Sequence, residues 1–140
     1  MAEFTAVAVQ TVPAGQAVVL TDAPVCAGSC IRHRDGSGQV TLMGHTGQCR
    51  ARYRVTFGAN LAVPTGGTAG AISVGIAIDG DVLGSSIATV TPAAAGEFFN
   101  VFSSAFIDVP RGCCARISVR NVSAGAIDVA NANLVIDRVA

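Results

Sequence analysis

Five cysteines, two histidines and nine arginines are the residues with which this 140-residue chain could do chemistry. The cysteines are Cys26, Cys30, Cys49, Cys113 and Cys114. Three readings of them stay open. One or two disulfides could join Cys26 or Cys30 to Cys49, Cys113 or Cys114, which would suit an extracellular or virion setting. Zinc could be held by Cys26 and Cys30 with His45 or Cys49, although this spacing matches no established finger. Buried free thiols could act as small hydrophobes. Adjacent Cys113 and Cys114 are not expected to bond to each other, and an odd count leaves at least one thiol unpaired within a subunit.

A thiol nucleophile would need a base, and His45 beside Cys49 or Cys113 is conceivable. No third residue to orient it is evident. Gly28-Ser29-Cys30 does not make the glycine-flanked serine elbow of hydrolases. The chain is therefore expected to be non-catalytic, with no cofactor and no metal. All nine basic residues are arginine, which removes lysine chemistry and the phosphate loop that depends on it.

Arg50, Arg52 and Arg54 fall on one side of an alternating stretch. Guanidinium forks could read an anionic sugar, phosphate or carboxylate there. The preferred reading is pairing with acids of neighbouring strands or subunits, such as Asp108, Asp128 or Asp137, because buried charges must be paired. Arg116 and Arg120, sharing a face with Ser118, read as a solvated face, and His33 as a surface residue. Asp79-Gly80-Asp81 reads as a hairpin turn, since Asp-Gly between strands is a strong turn signal. The glycine-rich stretch 64–70 reads as a loop, exposed or near an oligomer axis. Asn121-Val122-Ser123 is a formal glycosylation sequon that means little without a secretory signal.

The elements that must position these residues are strands. Period-two alternation predicts them at 4–10, 15–21, 31–34, 39–43, 49–63, 71–79, 82–91, 96–109, 113–122 and 126–139. Residues 55–78 carry no charge, but Pro64 and the glycines after it divide them into two strands and a loop, not a membrane span. Strand parity then brings all five cysteines and His45 to one end of the molecule. In 49–63 the odd positions form a core face and the even ones carry the arginines. In 96–109 both faces are apolar. Phe99, Val101, Ala105, Ile107 and Val109 lie on one, broken only by Ser103, while Phe98, Phe102 and Phe106 lie on the other with Asn100. A second aromatic face needs a cover, and no helix is available, so another subunit is expected over it. Phe98, Asn100, Phe102 and Phe106, with Arg50, Arg52 and Arg54, are the candidate interface.

Only 13% of residues are charged, where about a quarter is usual. Acids and bases cancel, so binding of nucleic acid by bulk charge is not expected. The N-terminus shows no signal peptide, and no membrane insertion is expected.

The whole reads as one domain over 1–140, an all-β, ten-stranded jelly-roll sandwich. The order of strand lengths resembles the tumour-necrosis-factor-like jelly roll, shared with the globular heads of collagen-like trimers. Residues 55–70 followed by 71–83, and 97–112 with 126–139, including Asp108-Val109-Pro110-Arg111-Gly112, resemble the C-terminal domain of collagen-like spore-surface glycoproteins. Stand-alone domains of gut Firmicutes and their prophages are similar. The resemblance implies a homotrimer with a structural or recognition role and no catalysis. Two departures stand out: there is no Gly-X-Y segment, and there are five cysteines. The expected function is a trimeric module on a virion, as a decoration or fibre-head protein, or on a bacterial or spore surface, meeting a glycan or protein. The alternatives are a soluble sequestering trimer with a pocket between subunits, and a Cys/His zinc or thiol protein.

Overall fold

In a computed structural model, which describes residues 1–25 and 28–140, the alternating stretches form twelve strands and the described residues contain no α-helix. The strands are β1 (Ala2–Ala6), β2 (Gln10–Val12), β3 (Asp22–Val25), β4 (Ile31–His33), β5 (Val40–Met43), β6 (Arg50–Ala62), β7 (Ile72–Ile78), β8 (Asp81–Val82), β9 (Ala88–Val90), β10 (Phe99–Pro110), β11 (Cys114–Asn121) and β12 (Ile127–Arg138). One sheet runs β10-β6-β12-β1-β3, with β2 also on β12. The other runs β4-β5-β11-β7-β8, with β9 also on β7. Every strand pair is antiparallel. Two such sheets face to face make the jelly-roll sandwich that the alternation predicts.

The core is one cluster filled from both inner faces. β6 contributes Ala51, Tyr53, Val55, Phe57, Ala59 and Leu61, its odd positions, all buried. β10 contributes Val101, Ile107 and Val109. Phe99, expected on the same inner face, stands half-exposed because it opens the strand at the sandwich rim. Ser103 also faces inward, and its hydroxyl donates to the Ser86 carbonyl in the 3-10 turn Gly84–Ser86. The break in the apolar face is thus a satisfied polar group.

Twelve strands replace the expected ten for local reasons. Residues 4–10 split into β1 and β2 because β12 bulges opposite them. Register shifts between Ala130 and Asn133, with Asn131 left-handed at φ 54°, and the Asn131 amide donates to Val7. The 3-10 turn divides 82–91. Residues 15–21 make only isolated bridges, Ala17 to Arg120 and Leu20 to Ser37, while β3 forms where a turn was expected. The uncharged stretch 55–78 is the end of β6, a loop and β7. Among the described residues, no helix is long and apolar enough to cross a membrane. Asp79 (φ 51°) and Gly80 (φ 92°) form the two-residue turn between β7 and β8, with Ile78 opposite Asp81.

Candidate functional site

β10 and β6 run antiparallel in unbroken register from Phe99 opposite Leu61 to Pro110 opposite Arg50. Parity therefore puts Asn100, Phe102, Phe106 and Asp108 on the same outer face as Asn60, Gly58, Arg54 and Arg52. Phe102 is 66% exposed and Phe106 65%. Phe98, just before the strand, is half-exposed. Phe102 lies opposite Gly58, which in turn lies opposite Asn133 of β12. The ring thus has a bare backbone beside it, a shallow trough next to a raised aromatic. Asn100 donates to the Asn60 side chain at 3.2 Å, and Asn60 donates to Asn131 at 3.2 Å.

The arginine row sits on this face and is paired within the chain. Arg52 forks onto Asp108, Nε to Oδ1 at 2.7 Å and Nη2 to Oδ2 at 2.9 Å. Arg50 Nε stands 3.0 Å from the same carboxylate, and Arg54 reaches Asp137 of β12 at 3.0 Å. Hydrogen bonding from Arg52 holds the Asp108 carboxyl below the usual carboxylate range, with smaller help from the charges of Arg52 and Arg50. Asp128, the third expected acid, instead accepts from the Thr11 hydroxyl at 2.7 Å, since its register places it opposite β2. Six of the seven expected interface residues thus share one face of one sheet, and Phe98 stands just before the strand.

The four described cysteines gather at one end. The Met43 amide donates to the Cys30 carbonyl at 2.8 Å, and Met43 lies opposite Cys114. The Gly44 amide donates to the Cys113 carbonyl at 2.8 Å, and the Arg111 amide to the Cys49 carbonyl at 3.0 Å. His45 follows Gly44 at the same end and is exposed. Cys30, Cys49, Cys113 and Cys114 are free thiols. Cys26 lies outside the described residues. Among the described residues, no three His, Cys, Asp or Glu side chains are grouped as a metal site would need. Cys30 is half-buried, with Sγ 3.1 Å from Arg138 Nη1, and the other three are exposed. Tyr53 closes the core beneath them, its hydroxyl donating to the Met43 carbonyl at 2.6 Å, and burial pushes its pKa up.

Two sequence readings need correction. His33 is not a surface residue: its side chain is 1% exposed, its ring lies 4.5 Å from that of Phe4, and its Nε2 meets the Ser37 carbonyl at 2.9 Å. A three-residue strand end turned inward escapes periodicity. Arg116, Ser118 and Arg120 are not one solvated face, since Ser118 is buried and half-buried Arg120 donates to the Gly15 carbonyl at 2.9 Å. The chain before β3 folds over that end of β11, which alternation within β11 could not reveal. The sequon asparagine, Asn121, is 1% exposed, and its amide donates to the Val12 and Gly125 carbonyls, so it is a structural clamp.

The glycine-rich loop lines an open depression of about 620 Å³ together with residues 123–126. Its walls are mostly backbone and small side chains, with no charged group.

No family model matches the chain, and no curated relative matches it. Solved structures match over nearly its whole length. The globular domain of a zebrafish complement 1qA protein superposes with a TM-score of 0.62 at 11% identity, covering 96% of this chain and 94% of that one. Murine APRIL superposes with a TM-score of 0.60 at 9% identity, covering 95% and 96%. The chain has the tumour-necrosis-factor-like jelly-roll fold.

Proposed function

We propose that this chain is a non-catalytic, homotrimeric structural and recognition module, displayed on a phage particle or on a bacterial or spore surface. The exposed phenylalanine face of β10 is the observation that carries the reading. Burying a phenylalanine is worth about 1.5–3 kcal/mol, and Phe102 and Phe106 leave most of that unrealised in each lone chain. β10 is also a sheet edge of twelve residues, and long apolar edges invite association unless covered. The charges around the rings favour cover too. Arg54 is neutralised by Asp137, and Arg50 and Arg52 share Asp108, so little uncompensated charge would be desolvated. A closed threefold ring, which the fold resemblance implies, would cover the phenylalanine face. The loops at the sandwich ends then remain free to meet a glycan or protein.

Native mass spectrometry tests this. The expected result is the mass of three chains, and of one chain for Phe102→Asp, with an unchanged circular dichroism spectrum because the site lies outside the core. A monomeric wild type, or a Phe102→Asp variant that stays trimeric, would overturn the assigned interface.

A further inference from the structure

A second arginine group lies on the opposite sheet, and among the described residues no ion pair neutralises it. β4, β5 and β11 align Arg32 opposite Thr41 and Thr41 opposite Arg116. These three residues therefore form one row across the outer face. Arg34 follows two residues after Arg32, just past the strand, and is exposed like Arg32 and Arg116. A groove of about 340 Å³ opens here, lined by Arg32, Arg34, Thr41, Gln39, Ser37 and His33. The ion pairs of the described residues include none for Arg32, Arg34 or Arg116. Two acids are near, but neither forms an ion pair with these arginines. Asp79 accepts from the Arg116 backbone amide at 3.0 Å, and Asp35 lies 4.0 Å from His33 Nδ1. The contrast with the first sheet is direct, because there each of three arginines meets a carboxylate. Like charges on neighbouring strands repel, so a protein that spends so few charges gains nothing in stability from leaving these unpaired. His33 adds an independent sign. Its Nε2–H donates to the Ser37 carbonyl at 2.9 Å, which pins one wall of the groove and leaves Nδ1 buried without a hydrogen-bond partner.

We infer that this groove binds an acidic polysaccharide through the carboxylates of its sugar residues. Strand geometry spaces the row at roughly 10 Å from Arg32 to Arg116, across two inter-strand gaps. Two guanidinium arms over a threonine hydroxyl can hold one carboxylate by forked hydrogen bonds. Ser37 and Gln39 supply the neutral donors and acceptors that sugar hydroxyls need. A nucleic acid fits less well. Its charge is dense, whereas the chain is net neutral and offers three free guanidinium groups here. The inference rests on the recognition half of the proposed function and gives it a ligand class, and the groove lies on the other sheet from the phenylalanine face.

Titration calorimetry of the full chain with hexagalacturonate, and with its methyl ester, tests it. The ester keeps the sugars and removes the charge. The acid is expected to bind, the ester at least tenfold more weakly. The variant Arg32→Gln/Arg34→Gln/Arg116→Gln is expected to lose tenfold or more, while Arg111→Gln, at an exposed arginine that does not line the groove, leaves affinity unchanged. Absence of acid binding, equal binding of the ester, full binding by the triple variant, or preference for a single-stranded oligonucleotide would each overturn the inference. Native mass on the same samples keeps the two readings apart. A trimer that ignores the acid defeats the groove alone, and a monomer that binds it defeats the trimer alone.

Discussion

Asp108 accepts a fork from Arg52 and pairs with Arg50 while remaining open to water on the outer face of β10. The hydrogen bonds from Arg52 favour its charged form, so its folded pKa lies below the unfolded value of 3.8. A depressed folded pKa contributes stability above the unfolded value, and that contribution is lost as pH falls through the folded pKa. The acid arm of the stability curve, below about pH 4, is where this pair acts. Carboxyl-carbon NMR of wild type should show Asp108 titrating below the ordinary aspartate midpoint. Arg52→Gln should raise that midpoint, with Arg50 alone left on the carboxylate. A midpoint unmoved by Arg52→Gln would mean that the fork does not persist in solution. At this scale the sequence is a partial guide. Alternation places Arg50, Arg52 and Arg54 on one face, and Asp108 and Asp137 are among the acids expected to pair with them. It also offers Asp128, because nothing in the spacing reveals that β2 will lie against that end of β12.

Gly44 decides how the cysteine end closes. Its amide and carbonyl bond the 112–113 backbone, and a Cβ built there would stand 3.0 Å from the Cys113 carbonyl oxygen and closer still to that of Pro110. Gly44→Ala must push the β10–β11 turn away from β5. Overpacking of this kind costs about 1–3 kcal/mol, and urea denaturation should show a loss in that range. An unchanged midpoint would mean the turn yields freely. The long strands were legible because each carries many alternating residues. β6, β10, β11 and β12 lie within three residues of where the pattern puts them. Several short elements were not. β2, β3, β8 and β9 have two to four residues each, and their existence depends on partners distant in sequence. The bulge in β12 left a sign that periodicity could have found: inward residues change from odd (Ile127, Val129) to even (Ala132, Leu134, Ile136). That change of parity requires one extra residue, and Asn131 tolerates its left-handed backbone better than most side chains would.

At the scale of the molecule, the scarcity of charge can be assigned to surfaces. Three arginines and two acids on the first sheet cancel most of their charge beside an aromatic face, as suits a surface that is to be covered. Three others on the second sheet stay open to solvent. On the proposed reading the two sheets separate the work, association on one side and recognition on the other. If association is what stabilises the phenylalanine face, folding and assembly are linked by mass action, and apparent stability must rise with protein concentration. A monomer shows no such dependence. Thermal unfolding of wild type is therefore expected to shift upward by several degrees between micromolar and hundred-micromolar chain concentrations. Phe102→Asp should unfold at one temperature across the same range, lower than that of wild type. Arg32→Gln/Arg34→Gln/Arg116→Gln should keep the wild-type concentration dependence, because its charges lie away from the interface. Concentration-independent unfolding of wild type would place the unrealised apolar burial somewhere other than between copies of this chain.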